Sequence, residues 1–145
     1  MFDKLDSQSV KALLAAEEES RRAGYRYVDT EQLLLGLLSD PDNFAAGVLQ
    51  KLGVKHQTVR KRIKEIVGAG SEAVWVETPF TEPLKVLLSR AHEDAAKEAR
   101  ASVSTRYLLG AFCAVKDGVA WRILNESGIT PQKLEQAIID ASHSG

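Results

Sequence analysis

Apolar and polar residues recur along this chain with the three-to-four-residue period of amphipathic helices. The first clear example is residues 8–23, where Val10, Leu13, Leu14 and Ala16 share one side and charged residues occupy the other. Further segments of the same period follow, and most of them end at a glycine. The pattern predicts four helices in the first half of the chain.

Residues suited to helix capping mark the expected helix starts. Asp6 or Ser7 is placed to cap the first helix, and Thr30 is expected to cap a second helix that contains the sequence LLLGLL. Asp42 or Asn43 precedes a third helix, and a fourth runs through TVRKRIKEIV.

The helical pattern stops at residues 68–79, which contain glycine and proline and have no helical period. Within them the apolar Trp75 is expected to fold back onto the helices. After this linker four more helices are expected in the same order. We therefore predict an all-α fold of eight helices without a sheet: one domain over residues 1–145, with repeat one at about 2–67 and repeat two at about 80–142.

The two halves also share short sequence matches. Leu-Leu-Gly at 34–36 recurs at 108–110, and Gly53 recurs as Gly128, but the second offset is larger than the first by a single position. These matches predict one inserted residue between the second and third helices of the second half. Because a solenoid needs at least three units, two copies predict a pseudo-two-fold pair of lobes.

Composition and charge restrict the possible partners. The chain has 145 residues, 44% of them hydrophobic, and a formal net charge of −1. Near-neutral charge argues against nucleic acid or a membrane surface as a partner. The basic run of Arg60, Lys61, Arg62 and Lys64 is expected to be a solvated helix face, and no apolar run approaches the roughly 20 residues of a membrane helix.

Residues that carry chemistry are sparse. No phosphate-binding loop, nucleophile elbow or zinc-protease motif occurs, and His56, His92 and His143 are scattered without further ligands at suitable spacing. The single cysteine, Cys113, lies in an apolar stretch and is expected to be a buried thiol. We therefore expect no catalytic residues, no metal and no cofactor.

The duplicated motif resembles a known family. TEQLLLGLL at 30–38, with AAGVL at 45–49 and LGV at 52–54, is similar to the Clp N-terminal repeat of the ClpC type. The openings of the two halves, Met-Phe at 1–2 and Thr-Pro-Phe-Thr at 78–81, also fit this family. The resemblance implies a domain that receives substrates and adaptors for Clp AAA+ unfoldases.

The resemblance implies a non-enzymatic, protein-binding role in the Clp protease and chaperone system. The favoured form is a stand-alone accessory protein similar to plant ClpT, which modulates substrate or adaptor delivery or complex assembly. Its expected partners are Clp protease or unfoldase subunits, adaptors or protein substrates. We expect a monomer in the cytoplasm, or in the plastid stroma. The alternatives are an excised N-terminal domain of a ClpC-type unfoldase and a sensor of phosphoarginine or modified peptides.

The resemblance also implies candidate site residues in the first repeat. In ClpC-type domains of some bacteria a glutamate in each repeat recognises phosphorylated arginine, and here Glu31 matches that position beside Thr30. Paired hydrogen bonds join a carboxylate to a guanidinium well. In the second repeat the uncharged Thr105 is expected at the acidic position, and the positive charge of Arg106 next to it would oppose a guanidinium. We therefore expect one phosphoarginine site, in the first repeat. The alternative role of Glu31 is to stabilise the helix dipole.

A second candidate site lies where the two repeats begin. In the family, aromatic residues at the positions of Phe2 and Phe80 line a groove between the halves in which peptides and small natural products dock. Thr81 follows Phe80 and belongs to the same candidate groove. The alternative is that both aromatic side chains close the core at the domain junction.

Overall fold

The computed structural model describes residues 4–70 and 78–143, and these residues form eight α-helices. The helices are α1 (Ser7–Arg22), α2 (Thr30–Leu38), α3 (Phe44–Lys51), α4 (His56–Val67), α5 (Glu82–Lys97), α6 (Thr105–Ala111), α7 (Val119–Glu126) and α8 (Pro131–His143), with a 3-10 turn at Phe112–Ala114 after α6. Over these ranges the all-α prediction is confirmed. Phe2 and Trp75 lie outside the described residues.

Every helix of the second half follows its counterpart at one constant offset, which we call the repeat offset. The paired first residues are Ser7 and Glu82, Thr30 and Thr105, Phe44 and Val119, and His56 and Pro131. Buried positions keep the repeat offset: in α1 they are Ser9, Ala12, Leu13, Ala16 and Ser20, and in α5 they are Leu84, Leu87, Leu88, Ala91 and Ala95. The short sequence matches predict a smaller offset for the first two helices and one inserted residue between the second and third helices of the second half. Both predictions are therefore wrong.

The constant repeat offset changes which residues correspond in α2 and α6. At the repeat offset Gly36 corresponds to Ala111 and not to Gly110. The two glycines also have different surroundings: a Cβ on Gly36 would lie 2.0 Å from the main-chain oxygen of Ala12, whereas a Cβ on Gly110 would meet nothing within 4 Å. Thr105 corresponds to Thr30, so the residue at the place of Glu31 is Arg106.

The cap of α2 is also different from the prediction. Asp29, and not Thr30, is the N-cap: its side chain accepts a hydrogen bond from the amide of Thr30 at 2.7 Å, and Gln32 Oε1 accepts one from the amide of Asp29 at 2.8 Å. This reciprocal arrangement is a capping box. Thr30 is consequently the first helical residue.

The core is built around α2 and α6. All nine residues of α2 are buried, because α1, α3, α4, α5 and α7 all pack against it. Helix α6 packs against α5 and α8 of its own half and against α1 and α3 of the other half. Within the described residues no helix is long and apolar enough to cross a membrane.

Two isolated parallel bridges join the halves reciprocally. Leu5, before α1, pairs with Val103, before α6, and Phe80, before α5, pairs with Val28, before α2. Their main-chain hydrogen bonds run from Asp6 N to Val103 O (3.0 Å), Val103 N to Lys4 O (2.7 Å), Thr81 N to Val28 O (3.0 Å) and Val28 N to Pro79 O (2.9 Å). Each half thus holds the segment that leads into the first helix of the other half.

Candidate functional site

Glu31 lies in the interior and not on the surface. Its residue is 2% exposed, and its Oε1 atom is buried with no hydrogen-bond partner among the described residues. Burial, reinforced by the negative charge of Asp29, raises the pKa of Glu31 to about 7, although a backbone hydrogen bond opposes the shift. Part of the Glu31 population is therefore neutral at physiological pH.

Thr30 is buried beside Glu31 in the chain, and it lies close to Glu82 at the start of the second half. The hydroxyl of Thr81 donates a hydrogen bond of 2.8 Å to Asp29 Oδ1, and Phe80 pairs with Val28 immediately before this cap. Phe80 is half-buried and packs against the core. Of the candidate residues, Thr30, Phe80 and Thr81 therefore share one junction between the halves, whereas the side chain of Glu31 lies in the interior.

A cleft of about 410 Å³, the junction cleft, opens beside these residues. Its walls include Asp29, Thr30, Glu82, Val86 and Asp117. Val86 is 55% exposed, and the three carboxylates, against one lining amine, that of Lys116, give the cleft an acidic rim. An apolar wall with acidic edges suits an apolar peptide segment that carries basic residues.

Sequence reasoning missed Val86 and Asp117 as part of a surface. The available signal was Val86 itself, which stands on the polar side of α5 between Lys85 and the buried Leu87. Asp117 comes from the loop before α7, and only the folded chain places that loop beside α5.

The equivalent place in the second half has different chemistry. Arg106 pairs with Glu98 at 3.5 Å, and its guanidinium lies 5.4 Å from the ring centre of Tyr107. Thr105 is buried, and its Oγ1 accepts a hydrogen bond from the amide of Ala45 at 3.2 Å. A carboxylate corresponding to Glu31 is absent here because the residue at that position is a cation.

The two arginines of the basic run on α4 are held by acidic partners. Arg60 Nε donates to Glu19 Oε2 at 3.2 Å, and Arg62 Nε donates to Glu126 Oε1 at 2.8 Å. These pairs connect α4 with α1 and with α7. Among residues 4–70 and 78–143, no three His, Cys, Asp or Glu side chains gather in a way that could hold a metal ion.

Comparison with known proteins agrees with this architecture of two four-helix halves. The family model described as the Clp repeat (R) N-terminal domain matches residues 4–127 and, in a second match, residues 79–145. The chloroplastic chaperone protein ClpC of Pisum sativum is 34% identical over 139 residues, which cover 96% of this chain and 15% of that protein. The chain belongs to the Clp N-terminal repeat family.

Solved structures show the same fold. The N-terminal domain of the chaperone ClpD from Arabidopsis thaliana has a TM-score of 0.78 at 23% identity, covering 97% of this chain and 98% of that one. A ClpV N-domain, solved in complex with a VipB peptide, has a TM-score of 0.69 at 24% identity, covering 98% of this chain and 91% of that one. The Clp N-domain is a non-catalytic protein-interaction domain. The chain spans about a sixth of the length of the curated relatives that it matches.

Proposed function

We propose that this chain is a non-catalytic protein-binding module of the Clp protease and chaperone system that modulates the delivery of substrates or adaptors, or the assembly of the complex. Its family membership supports this proposal, as does the peptide bound by the related ClpV N-domain. The names of its relatives place several ClpC chaperones in chloroplasts, so the plastid stroma and the cytoplasm are the compartments that we propose.

The observation that carries the proposal is the junction cleft. It combines an exposed aliphatic side chain, Val86, with the carboxylates of Asp29, Glu82 and Asp117. Phe80 and Thr81 stand next to Asp29 at this junction. We propose them as docking residues, together with Phe2, which lies outside the described residues. We infer that the ligand is a protein segment with apolar and basic side chains.

A degradation assay tests this role. A ClpC-type unfoldase with its protease degrades one fluorescent substrate that an adaptor delivers and one that needs no adaptor. An excess of this chain is expected to slow only the adaptor-delivered substrate, because the chain competes for the adaptor. If neither rate changes even at a large excess of the chain, the competition mechanism is refuted.

A matched pair of variants assigns the effect to the junction cleft. Val86→Lys introduces a charge at a side chain that is 55% exposed, and Leu14→Lys introduces the same charge at one that is 58% exposed outside the cleft. We expect Val86→Lys to abolish the competition and Leu14→Lys to preserve it. Equal effects of the two variants would contradict a role for the cleft.

The same surface also supports the alternative of a receiving domain within a longer unfoldase, since the curated relatives match this chain over 15–17% of their length. The test is to replace the N-domain of a ClpC-type unfoldase by residues 1–145. Adaptor-dependent degradation is expected to be retained by the chimera if the chain can receive adaptors in cis. Loss of adaptor-dependent degradation, with the ATPase rate intact, would refute this alternative.

We propose Thr30 and Glu31 as the place where a phosphorylated arginine would be read. The guanidinium would pair with the Glu31 carboxylate, and this requires the buried side chain to turn outward. Calorimetric titration with phosphoarginine tests it: Glu31→Gln should abolish binding, and Glu93→Gln, which removes a charge from a position on α5, should not. Undiminished binding by Glu31→Gln would refute the assignment.

A further inference from the structure

Each half of the molecule carries a cleft between its first, second and fourth helices. The first-repeat cleft, of about 470 Å³, includes Gln32, Leu35 and Ile63, and the second-repeat cleft, of about 610 Å³, includes Tyr107, Gly110 and Ile138. These residues correspond one to one at the repeat offset. The two clefts are therefore the same architectural feature, formed once in each half.

The protein's own chain forms one wall of the first-repeat cleft. After α4 the main chain passes over the end of α1, where the hydroxyl of Tyr25 donates to the carbonyl of Gly68 at 2.6 Å and the amide of Gly70 donates to the carbonyl of Ala23 at 2.9 Å. A Cβ on Gly70 would lie 2.2 Å from the backbone of Gly24. This contact shows how a non-helical main-chain segment binds at the edge of such a cleft.

In the second half His143 corresponds to Gly68, and Gly145, the counterpart of Gly70, lies outside the described residues, so no described residue forms such a wall at the second-repeat cleft. The carbonyl of Glu98, which corresponds to that of Ala23, receives no hydrogen bond from any described residue. The apolar filling is also incomplete: Gly110 stands at the position of Leu35, and a Cβ on Gly110 would meet nothing within 4 Å. Within the described residues the cleft thus has space for one aliphatic side chain above Gly110.

A buried polar group in this cleft also has no partner. Tyr107 is 6% exposed, and its hydroxyl makes no hydrogen bond with any described residue. At the corresponding position Gln32 uses its side-chain oxygen in the capping box of α2. A buried hydroxyl without a partner costs free energy, so a ligand that supplies a partner would recover it.

The charges around the second-repeat cleft favour an acidic ligand. Arg90 is paired with Asp94 at 3.1 Å, and Arg106 is paired with Glu98. Lys97 and Lys116 also line the cleft and make no ion pair within the described ranges. Two amines are therefore available, against one further carboxylate, Glu135.

We propose that the second-repeat cleft binds an extended peptide segment of a protein partner, with an aliphatic side chain above Gly110 and an acidic residue beside Lys97 and Lys116. This inference rests on the proposed function, because both require the chain to bind a protein. The amines of Lys97 and Lys116, unpaired within the described residues, and the space above Gly110 suit a partner segment that carries an acidic and an aliphatic side chain.

The probe is a fluorescent, N-acetylated octapeptide with one leucine between two aspartates and with glycine or serine elsewhere. Binding to the full chain is followed by fluorescence anisotropy at low salt, and amide NMR shifts locate the site. We expect binding with shifts at Tyr107, Gly110 and Ile138, and at least tenfold weaker binding when lysine replaces the aspartates or alanine replaces the leucine. Absence of binding at millimolar peptide overturns the proposal.

Two glycine variants form a matched pair. Gly110→Leu places in this cleft the side chain that Leu35 contributes to the first, and Gly47→Leu makes the same change on α3, where a Cβ also meets nothing within 4 Å. We expect Gly110→Leu to weaken peptide binding at least tenfold and Gly47→Leu to leave it unchanged. The double variant Lys97→Glu, Lys116→Glu should also weaken binding about tenfold. Unchanged binding by Gly110→Leu overturns the proposal.

Two other occupants would be recognised by the same experiments. If the octapeptide binds only after residues 144–145 are removed, the chain's own end occupies the cleft and the proposal is overturned. If sedimentation shows a dimer that Gly110→Leu abolishes, a second copy occupies it, and the proposal is overturned as well. If Gly110→Leu still competes in the degradation assay but no peptide binds the cleft, this inference fails while the proposed function stands.

Discussion

The side chain of Thr81 joins two helix caps: its hydroxyl accepts the amide hydrogen of Leu84 at 3.3 Å and donates its own hydrogen to Asp29 Oδ1 at 2.8 Å. Thr81 is the N-cap of α5 and Asp29 is the N-cap of α2. The first helix of one half and the central helix of the other are therefore anchored by one hydrogen-bond chain.

Removing the Thr81 hydroxyl is expected to lower the free energy of unfolding by more than the loss of a single N-cap hydrogen bond would. Thr81→Val loses both hydrogen bonds, and the free energy of unfolding should fall by about 2 kcal/mol. Thr130→Val is the matched control, because Thr130 caps α8 through the amide of Lys133 at 3.2 Å and is exposed. Urea unfolding should show a loss of about 1 kcal/mol for this control. Equal losses in the two variants would show that the bond to Asp29 contributes no stability.

The buried carboxyl of Glu31 predicts a loss of stability as pH rises. Its pKa is about 7 in the folded chain against an ordinary value of 4.5, so the folded state binds more protons between these values. The free energy of unfolding should therefore decrease from about pH 4.5 to pH 7 and level off above. A shift of this size corresponds to about 3 kcal/mol.

The variant Glu31→Gln isolates this effect, because glutamine resembles the protonated acid and does not ionise. It should stabilise the protein by about 2–3 kcal/mol at pH 8 and leave stability nearly unchanged at pH 4.5. Glu93→Gln on α5 provides the comparison, measured by urea unfolding at both pH values. A stabilisation of Glu31→Gln that does not depend on pH would contradict a raised pKa.

The two Leu-Leu-Gly motifs predict opposite responses to alanine. Gly36→Ala places a Cβ 2.0 Å from the main-chain oxygen of Ala12, so α1 and α2 must separate, and a loss of about 3 kcal/mol or more is expected. Gly110→Ala meets nothing and should gain about 0.5–1 kcal/mol from helix propensity. Thermal and urea unfolding of both variants test this. Similar effects in the two variants would contradict the different surroundings of the two glycines.

Trp121 stabilises the fold in two ways, by filling space in the core and by donating a hydrogen bond. It is fully buried on α7, and its Nε1 donates to the carbonyl of Phe112 at 2.7 Å. Trp121→Ala should reduce the free energy of unfolding by about 3–5 kcal/mol. Trp121→Phe retains much of the volume, so it should lose only about 1–2 kcal/mol, mostly from the unpartnered carbonyl. Urea unfolding that gives the same loss for both variants would assign the whole effect to the hydrogen bond.

The helices were predictable from the sequence because their start and stop signals are local. Asp6, Asn43 and Thr81 each cap a helix by accepting a hydrogen bond from the main-chain amide three residues ahead. Because both groups are close in the sequence, such a cap can be recognised from the sequence alone. The cap of α2 is different. Both Asp29 and Thr30 are suitable caps, and part of what holds Asp29 in place is Thr81, which is distant in the sequence.

The site was less predictable because its features depend on burial. The run after Glu31 is apolar on all sides, which is typical of a buried helix, and that signal would have placed the first-turn residues inside as well. The Leu-Leu-Gly match was misleading because glycine occurs for different reasons at the two positions. Gly36 permits a close approach to α1, whereas Gly110 leaves a cleft open.

Because of the reciprocal bridges, the two halves of the chain are arranged like the two subunits of a dimer that exchange their N-terminal arms, here joined into one chain. The segment before α1 lies in the second half, and the segment before α5 lies in the first half, as identical subunits do when they exchange their N-terminal arms. A cut between residues 70 and 78 would sever neither bridge. The two fragments would thus carry complementary halves of one interface and should reassemble as a heterodimer.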